Sequence, residues 1–415
     1  MNSRMTSQQC RFCRAELRHT FVDLGMSPLS NSYLARTQLN AMEPFYPLHV
    51  RLCDQCFLVQ LEEFESPEQI FSDYAYFSSY SSSWLAHARA YCAQMTERFG
   101  LNRNSFVVEI ASNDGYLLQN FVAQNVPVLG IEPARNVAEA AIERGVPSVT
   151  EFFGVQLAEQ LAGEGKRADL LLGNNVLAHV PDLNDFVAGL KILLKDGGVV
   201  TMEFPHLLRL MAGNQFDTIY HEHFSYFSFL TVEQVFAAHG LTLFDVEELP
   251  THGGSLRIYA RHAEAEQQPL TARVHELRER EQAAGARDVQ SYLAFGEQVR
   301  ETKRALLDFL IGAKRAGHTV VGYGAPAKGN TLLNYCGVGT DFLDYTVDAN
   351  PHKQGHFLPG THIPIHHPDQ IRATRPRYVL ILPWNIRDEI IAQTAYIREW
   401  GGQFVVPIPR AEVIA

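Results

Sequence analysis

The sequence predicts an α/β protein with a doubly wound, mostly parallel sheet at its centre, a small metal-stapled segment before it and a second strand–helix alternation after it. Three observations carry that expectation. From Phe106 to about Phe204, short apolar runs rich in β-branched residues alternate with helical patterns, which is how a parallel sheet with covering helices reads. Four of the six cysteines fall in two C-x2-C pairs near the N-terminus. The last hundred or so residues restart the alternation, from TVVGYGAPAKGN to GQFVVPIP.

A chain of 415 residues holds two or three domains, and the expected division is 1–72, 73–262 and 263–415. Hydrophobic residues make up 46%, an ordinary value for a water-exposed globular chain. No apolar run approaches the roughly 20 residues that span a bilayer. The opening MNSRMTSQQC lacks the apolar core of a signal peptide, so a cytoplasmic protein with no membrane partner is expected. A net charge of −11 without a basic cluster argues against a nucleic-acid partner, which needs a positive face. It leaves room for a small substrate that carries a nucleotide. A monomer or weak homodimer is expected.

In chain order, Cys10 and Cys13 come first and Cys53 and Cys56 follow about forty residues later. Two such pairs can turn four thiolates onto one ion, giving a tetrahedral Zn²⁺ site. With all four positions filled by protein, that zinc is structural, a staple for a segment too small to bury much core. Isolated Cys92 and Cys336 fit a reducing compartment. The stretch FSDYAYFSSYSSSW then offers Tyr74 and Tyr76, either packed between domains or reaching an active site, before a helix expected over 84–98.

Phe106 to Leu118 reads FVVEIASNDGYLL: a strand, a tight turn and a helix start. Small residues in that turn let a ligand approach the backbone. Glu132, which stands 23 residues after Glu109, ends the next strand, where a carboxylate can hold two ribose hydroxyls. A dinucleotide site would want G-x-G-x-x-G, and Ala111, Asn113 and Tyr116 stand there instead. The pattern resembles motif I of the class I S-adenosylmethionine (SAM) methyltransferases, departing from it at Ala111. Ligands of such sheets bind at the carboxyl ends of the strands. That rule selects Glu109 to Gly115, Glu132, Phe152 and Phe153, Asn174 to His179, and Glu203 to His206. The KDGG tetrad is expected to turn the chain into the fifth strand.

QFDTIYHEHFSYFS brings Tyr220, His221, Glu222 and His223 together. Extended backbone would put Tyr220 and Glu222 on one face and both histidines on the other. The histidines can be metal ligands, structural groups, or a base with a carboxylate neighbour, since imidazole titrates near neutrality. Gly253 and Gly254 suggest a hairpin or bulge. The charged stretch 264–315 reads as helical connector. G-Y-G-A-P-A-K-G joins a strand to a helix but lacks G-x-G-x-x-G, with Ala327 at the last glycine. It is read as structural or, through Lys328, as a contact to a substrate phosphate.

C-x2-C…C-x2-C, E-I-A-S-N-D-G, N-N-V-L-A-H, Y-H-E-H-F, H-G-G-S-L-R and G-Y-G-A-P-A-K-G, in this order, resemble the sugar C-methyltransferases that act on nucleotide-linked 4-ketohexoses, over nearly the whole chain. The resemblance implies a class I SAM methyltransferase sheet with a small zinc-binding N-terminal domain and a Rossmann-like C-terminal domain. It implies methylation at C3 of a dTDP- or GDP-linked 4-keto-deoxysugar through an enolate. His223 is then the base, with Glu222 orienting it or touching the sugar. His179 and Tyr220 serve the oxyanion or sugar hydroxyls, and Tyr74 or Tyr76 closes the pocket. Glu109, Ala111, Asn113, Gly115, Glu132, Phe153, Asn174 and Asn175 line the cofactor site, Asn175 facing either the sugar or the methionine end. Relatives carry Gly at Ala111 and Asp at His221, which bears on which sugar is used. The competing readings are a sugar O- or N-methyltransferase, a non-enzymatic zinc module and an NAD oxidoreductase.

Overall fold

The computed structural model describes residues 9–66, 79 and 82–414; Tyr74 and Tyr76 lie outside them. The chain forms two compact units. One comprises Met1–Arg18, Cys53–His206 and Phe224–Arg287, the other His19–Leu52, Leu207–His223 and Asp288–Ala415.

The first unit is built on a seven-stranded sheet. Its strands in chain order are β1 (Val107–Ile110), β2 (Val128–Ile131), β3 (Ser148–Val149), β4 (Ala168–Asn174), β5 (Leu194–Pro205), β6 (Leu241–Leu249) and β7 (Ser255–His262). They lie in the spatial order β3-β2-β1-β4-β5-β7-β6. β1 pairs in parallel with β2 and β4, and β7 runs antiparallel to both β5 and β6. Period-two alternation sorts the core: Val108, Ile110, Leu129, Ile131 and Leu171 join one buried cluster, while Val107, Val128, Leu170 and Leu172 join the cluster on the opposite face. A strand buried on both sides must be apolar throughout. Glu109, fully buried in β1, breaks that rule and marks the site.

Helices Arg135–Glu143, Val155–Gly163 and Leu183–Leu193 link the parallel strands, while only a short helix, Gln119–Val122, lies between β1 and β2. The expected helix start straight after the turn is absent: Gly115 to Leu118 passes through turns first. KDGG is no turn either. Ala168 pairs with Leu194 and Leu170 with Val199, so Lys195 to Gly198 form a bulged extension of β5. The 264–315 stretch is more than a connector. Glu281, fully buried in helix Ala272–Ala283, accepts the Phe229 and Leu230 amides at the start of helix Phe229–Ala238 and contacts His206 Nε2 at 2.6 Å. It caps that helix.

The second unit contains the antiparallel pair His19–Ser27 and Tyr46–Leu52 and a six-stranded sheet. The latter orders Ile365–His366, Thr346–Val347, Val320–Tyr323, Tyr378–Ile381, Gln403–Val406 and Glu412–Ile414; all pairings are parallel except the last. Helix Phe295–Arg315 buries Val299, Thr302, Leu306, Leu310 and Ala313 along one stripe, the spacing of an amphipathic helix. No helix among the described residues is long and apolar enough to cross a membrane.

Candidate active site and metal centre

Both cysteine pairs fold into the same backbone knuckle. Cys10 N–H donates to Ala15 C=O and Arg14 N–H to Cys10 C=O; Cys53 N–H donates to Leu58 C=O and Phe57 N–H to Cys53 C=O. The fifth residue of each knuckle, Arg14 (φ 63°) or Phe57 (φ 59°), takes the left-handed conformation, which turns both sulfurs of a pair inward. Cys10 and Cys56 sulfurs lie 3.5 Å apart, as do those of Cys13 and Cys53, and all four fall within 4.8 Å of one another. A tetrahedron with ~2.3 Å zinc–sulfur bonds has edges of about 3.8 Å. The four thiols therefore fit a single zinc ion. The cluster pulls the Cys10 thiol down and pushes Cys53 and Cys56 up, the imbalance of thiols crowded together that a dication relieves.

At the end of β1 the chain alternates into the left-handed region at Ala111 (φ 56°), Asn113 (φ 48°) and Gly115 (φ 74°). A side chain at Gly115 would press on Val146 Cγ2 at 3.0 Å. Glu132 accepts the Asn113 amide at 2.9 Å and the Ala134 amide at 2.9 Å. Each of its oxygens keeps acceptor capacity for a hydroxyl. Burial raises its pKa. Burial, then the charges of Glu132 and Asp114, hold Glu109 well above the carboxylate range. Neither Glu109 oxygen meets hydrogen-bond geometry, nor does either polar atom of the Asn174 amide, although the Tyr116 hydroxyl is near enough to draw Glu109 back slightly. Buried polar atoms are normally partnered. This set, at adjacent strand ends, fits a ligand with an ammonium group and hydroxyls, both of which SAM carries. Phe153 stands against the Phe186 ring, 5.4 Å between centroids.

Asn174 ends β4, and Asn175 (φ 56°) follows in left-handed backbone, its amide donating to Glu203 C=O. His179 closes the 3-10 turn Leu177–His179. The composition did not single out a polar array beside these residues. Glu203, buried in β5, accepts Arg257 Nε at 2.7 Å and His87 Nε2 at 2.9 Å. Burial alone would raise Glu203, but His87 and Arg257 hold it below its ordinary value. His87 stacks on Trp84, 4.9 Å between ring centroids, and Trp84 also faces Tyr116 and the edge of His252. H-G-G-S-L-R was the available signal: it forms the β6–β7 hairpin, as the glycines suggested, and also supplies His252 and Arg257.

Tyr220, His221, Glu222 and His223 belong to the second unit. Their backbone is a turn rather than a strand, with His223 N–H donating to Tyr220 C=O. Tyr220 and His223 therefore share a side, their rings 4.1 Å apart. This overturns the two-face arrangement expected of extended chain. His223 Nδ1 lies 2.9 Å from Thr218 C=O. A carbonyl only accepts, so Nδ1 carries a proton and donates it. Glu222 Oε1 accepts Asn31 Nδ2 at 2.5 Å. His221 instead reaches Pro47 C=O at 3.3 Å, and burial lowers its pKa. In the same unit Asp217, wholly buried, accepts Trp384 Nε1 at 2.7 Å, and burial pushes it up to about 6. Lys328 sits over the Trp384 ring and donates to Asn385 Oδ1 at 2.8 Å.

Family models cover most of the chain: a zinc binding domain over residues 10–71, a methyltransferase domain over 84–246 and a C-methyltransferase C-terminal domain over 250–409. The C-methyltransferase NovU of Streptomyces niveus is 36% identical over 407 residues, 98% of this chain and 97% of its own. The ubiquinone biosynthesis O-methyltransferase of Bartonella quintana is 28% identical over 98 residues, 23% of this chain and 40% of its own. The SAM-bound magnesium protoporphyrin IX methyltransferase of Synechocystis aligns at 12% identity with a TM-score of 0.33 over 42% of this chain and 78% of its own.

Proposed function

The chain belongs to the C-methyltransferase family, and from that premise we propose that it methylates C3 of a dTDP- or GDP-linked 4-keto-deoxysugar in unusual deoxysugar biosynthesis. SAM, when bound, supplies a methyl group made electrophilic by its sulfonium. Glu132 holds the ribose hydroxyls, and Glu109 with Asn174 takes the methionine end, which would complete the hydrogen bonding those buried groups lack.

The C3 proton of such a sugar is acidified by the neighbouring C4 carbonyl. His223 removes it through Nε2, leaving an enolate whose C3 is the nucleophile. The single observation that carries this reading is the anchoring of His223: its Nδ1–H donates to Thr218 C=O at 2.9 Å, which orients the ring and gives the base's role to Nε2. Tyr220, its ring tilted against that imidazole, keeps it oriented and offers its hydroxyl to the sugar. Glu222 contacts the sugar or steadies the base, and His179 donates to the developing oxyanion. The structural zinc takes no part in the chemistry. We place the enzyme in the cytoplasm, acting as a monomer or weak homodimer.

The test is exchange at C3 in deuterated water without SAM, followed by proton NMR of the sugar. The native enzyme should wash deuterium into C3, and His223→Ala should lose exchange and methylation together by ~10²–10⁴-fold. Methylation without exchange would point to an oxygen or nitrogen acceptor. Near-normal turnover of His223→Ala with saturating substrate would remove the base assignment.

A further inference from the structure

His252 and Asn175 are both non-glycine residues in left-handed backbone, with φ of 55° and 56°, a conformation that asparagine adopts readily but that strains a histidine. They come from different elements, the β6–β7 hairpin and the end of β4, yet Asn175 Nδ2 lies 3.2 Å from His252 Nε2. Gly253 (φ 90°) and Gly254 (φ 119°) follow directly, so the turn uses glycine freely but carries an imidazole at the one strained position before them. Such strain persists where a side chain is needed for function.

The ring is also firmly aimed. Trp84 meets it in a T-shaped contact with 5.4 Å between ring centroids, Trp84 stacks on His87, and His87 is anchored by Glu203 and thereby by Arg257, five residues beyond His252 in the same hairpin. Donation from Asn175 makes Nε2 the acceptor, so the imidazole is neutral with its proton on Nδ1. His252 remains exposed at the carboxyl-end rim of the sheet, where ligands of this architecture bind. We infer that His252 is an acceptor-binding residue, donating Nδ1–H to a hydroxyl or the carbonyl oxygen of the sugar, with Asn175 and Trp84 as its positioning residues. This rests on the sugar reading above.

Two variants test it, each assayed beside the native enzyme for melting temperature, SAM affinity by calorimetry, and KM for the nucleotide sugar. His252→Gly should melt about 2–4 °C higher, because the strain is relieved. Its KM for the sugar should nevertheless rise about tenfold, the loss of one good hydrogen bond, with SAM affinity unchanged. His252→Asn, which tolerates the same backbone, should show the same KM defect without the melting gain. Native-like KM in both variants would overturn the assignment while leaving the sugar reading intact. SAM affinity falling in step would overturn it in favour of a cofactor contact. A native enzyme that leaves C3 unmethylated would overturn the sugar reading and this assignment with it.

Discussion

Ala111 shows how one side chain departs from what its backbone asks. Its φ of 56° is a conformation in which glycine is at ease and alanine pays about 1–2 kcal/mol. Ala111→Gly should therefore gain about 0.5–1 kcal/mol, since freer unfolded chain offsets part of the relief. A drop in the denaturation midpoint would refute the strain. Asp217 makes a prediction in pH. Burial lifts it from an ordinary 3.8 to about 6, so the folded state binds its proton more tightly than the unfolded one. Its contribution is fullest below about pH 4 and is lost as pH rises through 6, a total of roughly 3 kcal/mol. Denaturant midpoints at pH 4.5 and 7 should show a smaller decline in Asp217→Asn than in the native enzyme. Much at this scale was legible beforehand. Glu109, Glu132 and the cysteines could be placed because an acid closing an apolar strand, or a C-x2-C pair, has few structural uses. His87 could not, since a histidine in a helix looks like an ordinary surface residue until Glu203 joins it.

Among elements, the two knuckles are the clearest case of local sequence dictating shape. Their hydrogen bonds match residue for residue, and three of the four thiols are buried with Leu58 and Phe229 in the main core of the first unit. Loss of the metal should therefore be felt as loss of fold. Cys53→Ser should take bound zinc, measured by atomic emission, from one per chain toward zero and lower the melting temperature, while an unchanged metal content would exclude the site. The strand alternation was readable across both sheets because each buried strand is a short apolar run between turn residues. Two of the departures from expectation have identifiable causes. KDGG has turn composition, yet pairing of Leu194 with Ala168 recruits it into a bulge. Tyr220 to His223 has strand-like alternation, yet the Tyr220 carbonyl accepts the His223 amide and curls it. In the first a tertiary pairing overrode a local preference; in the second a local turn bond did.

At the scale of the molecule, neither unit is a continuous piece of chain. The first draws on three segments and so does the second, which takes 19–52 and 207–223 along with everything from Asp288 onward. No periodicity reports this, because pattern describes neighbours along the chain and says nothing of which distant segments share a core. A fragment comprising 288–415 alone lacks the His19–Ser27 strand whose Phe21 stacks on Phe295 at 4.8 Å. It should show weaker near-ultraviolet dichroism and faster proteolysis than the same residues in the full chain; equal protection would show that the segments fold independently. The threading also sets a timetable for synthesis. Residues 19–52 leave the ribosome long before Asp288 is made, an interval of roughly 10–50 s at ordinary translation rates. Through that wait the nascent hairpin Tyr46–Leu52 with His19–Ser27 has no finished unit to join, and its apolar face stays open to a chaperone.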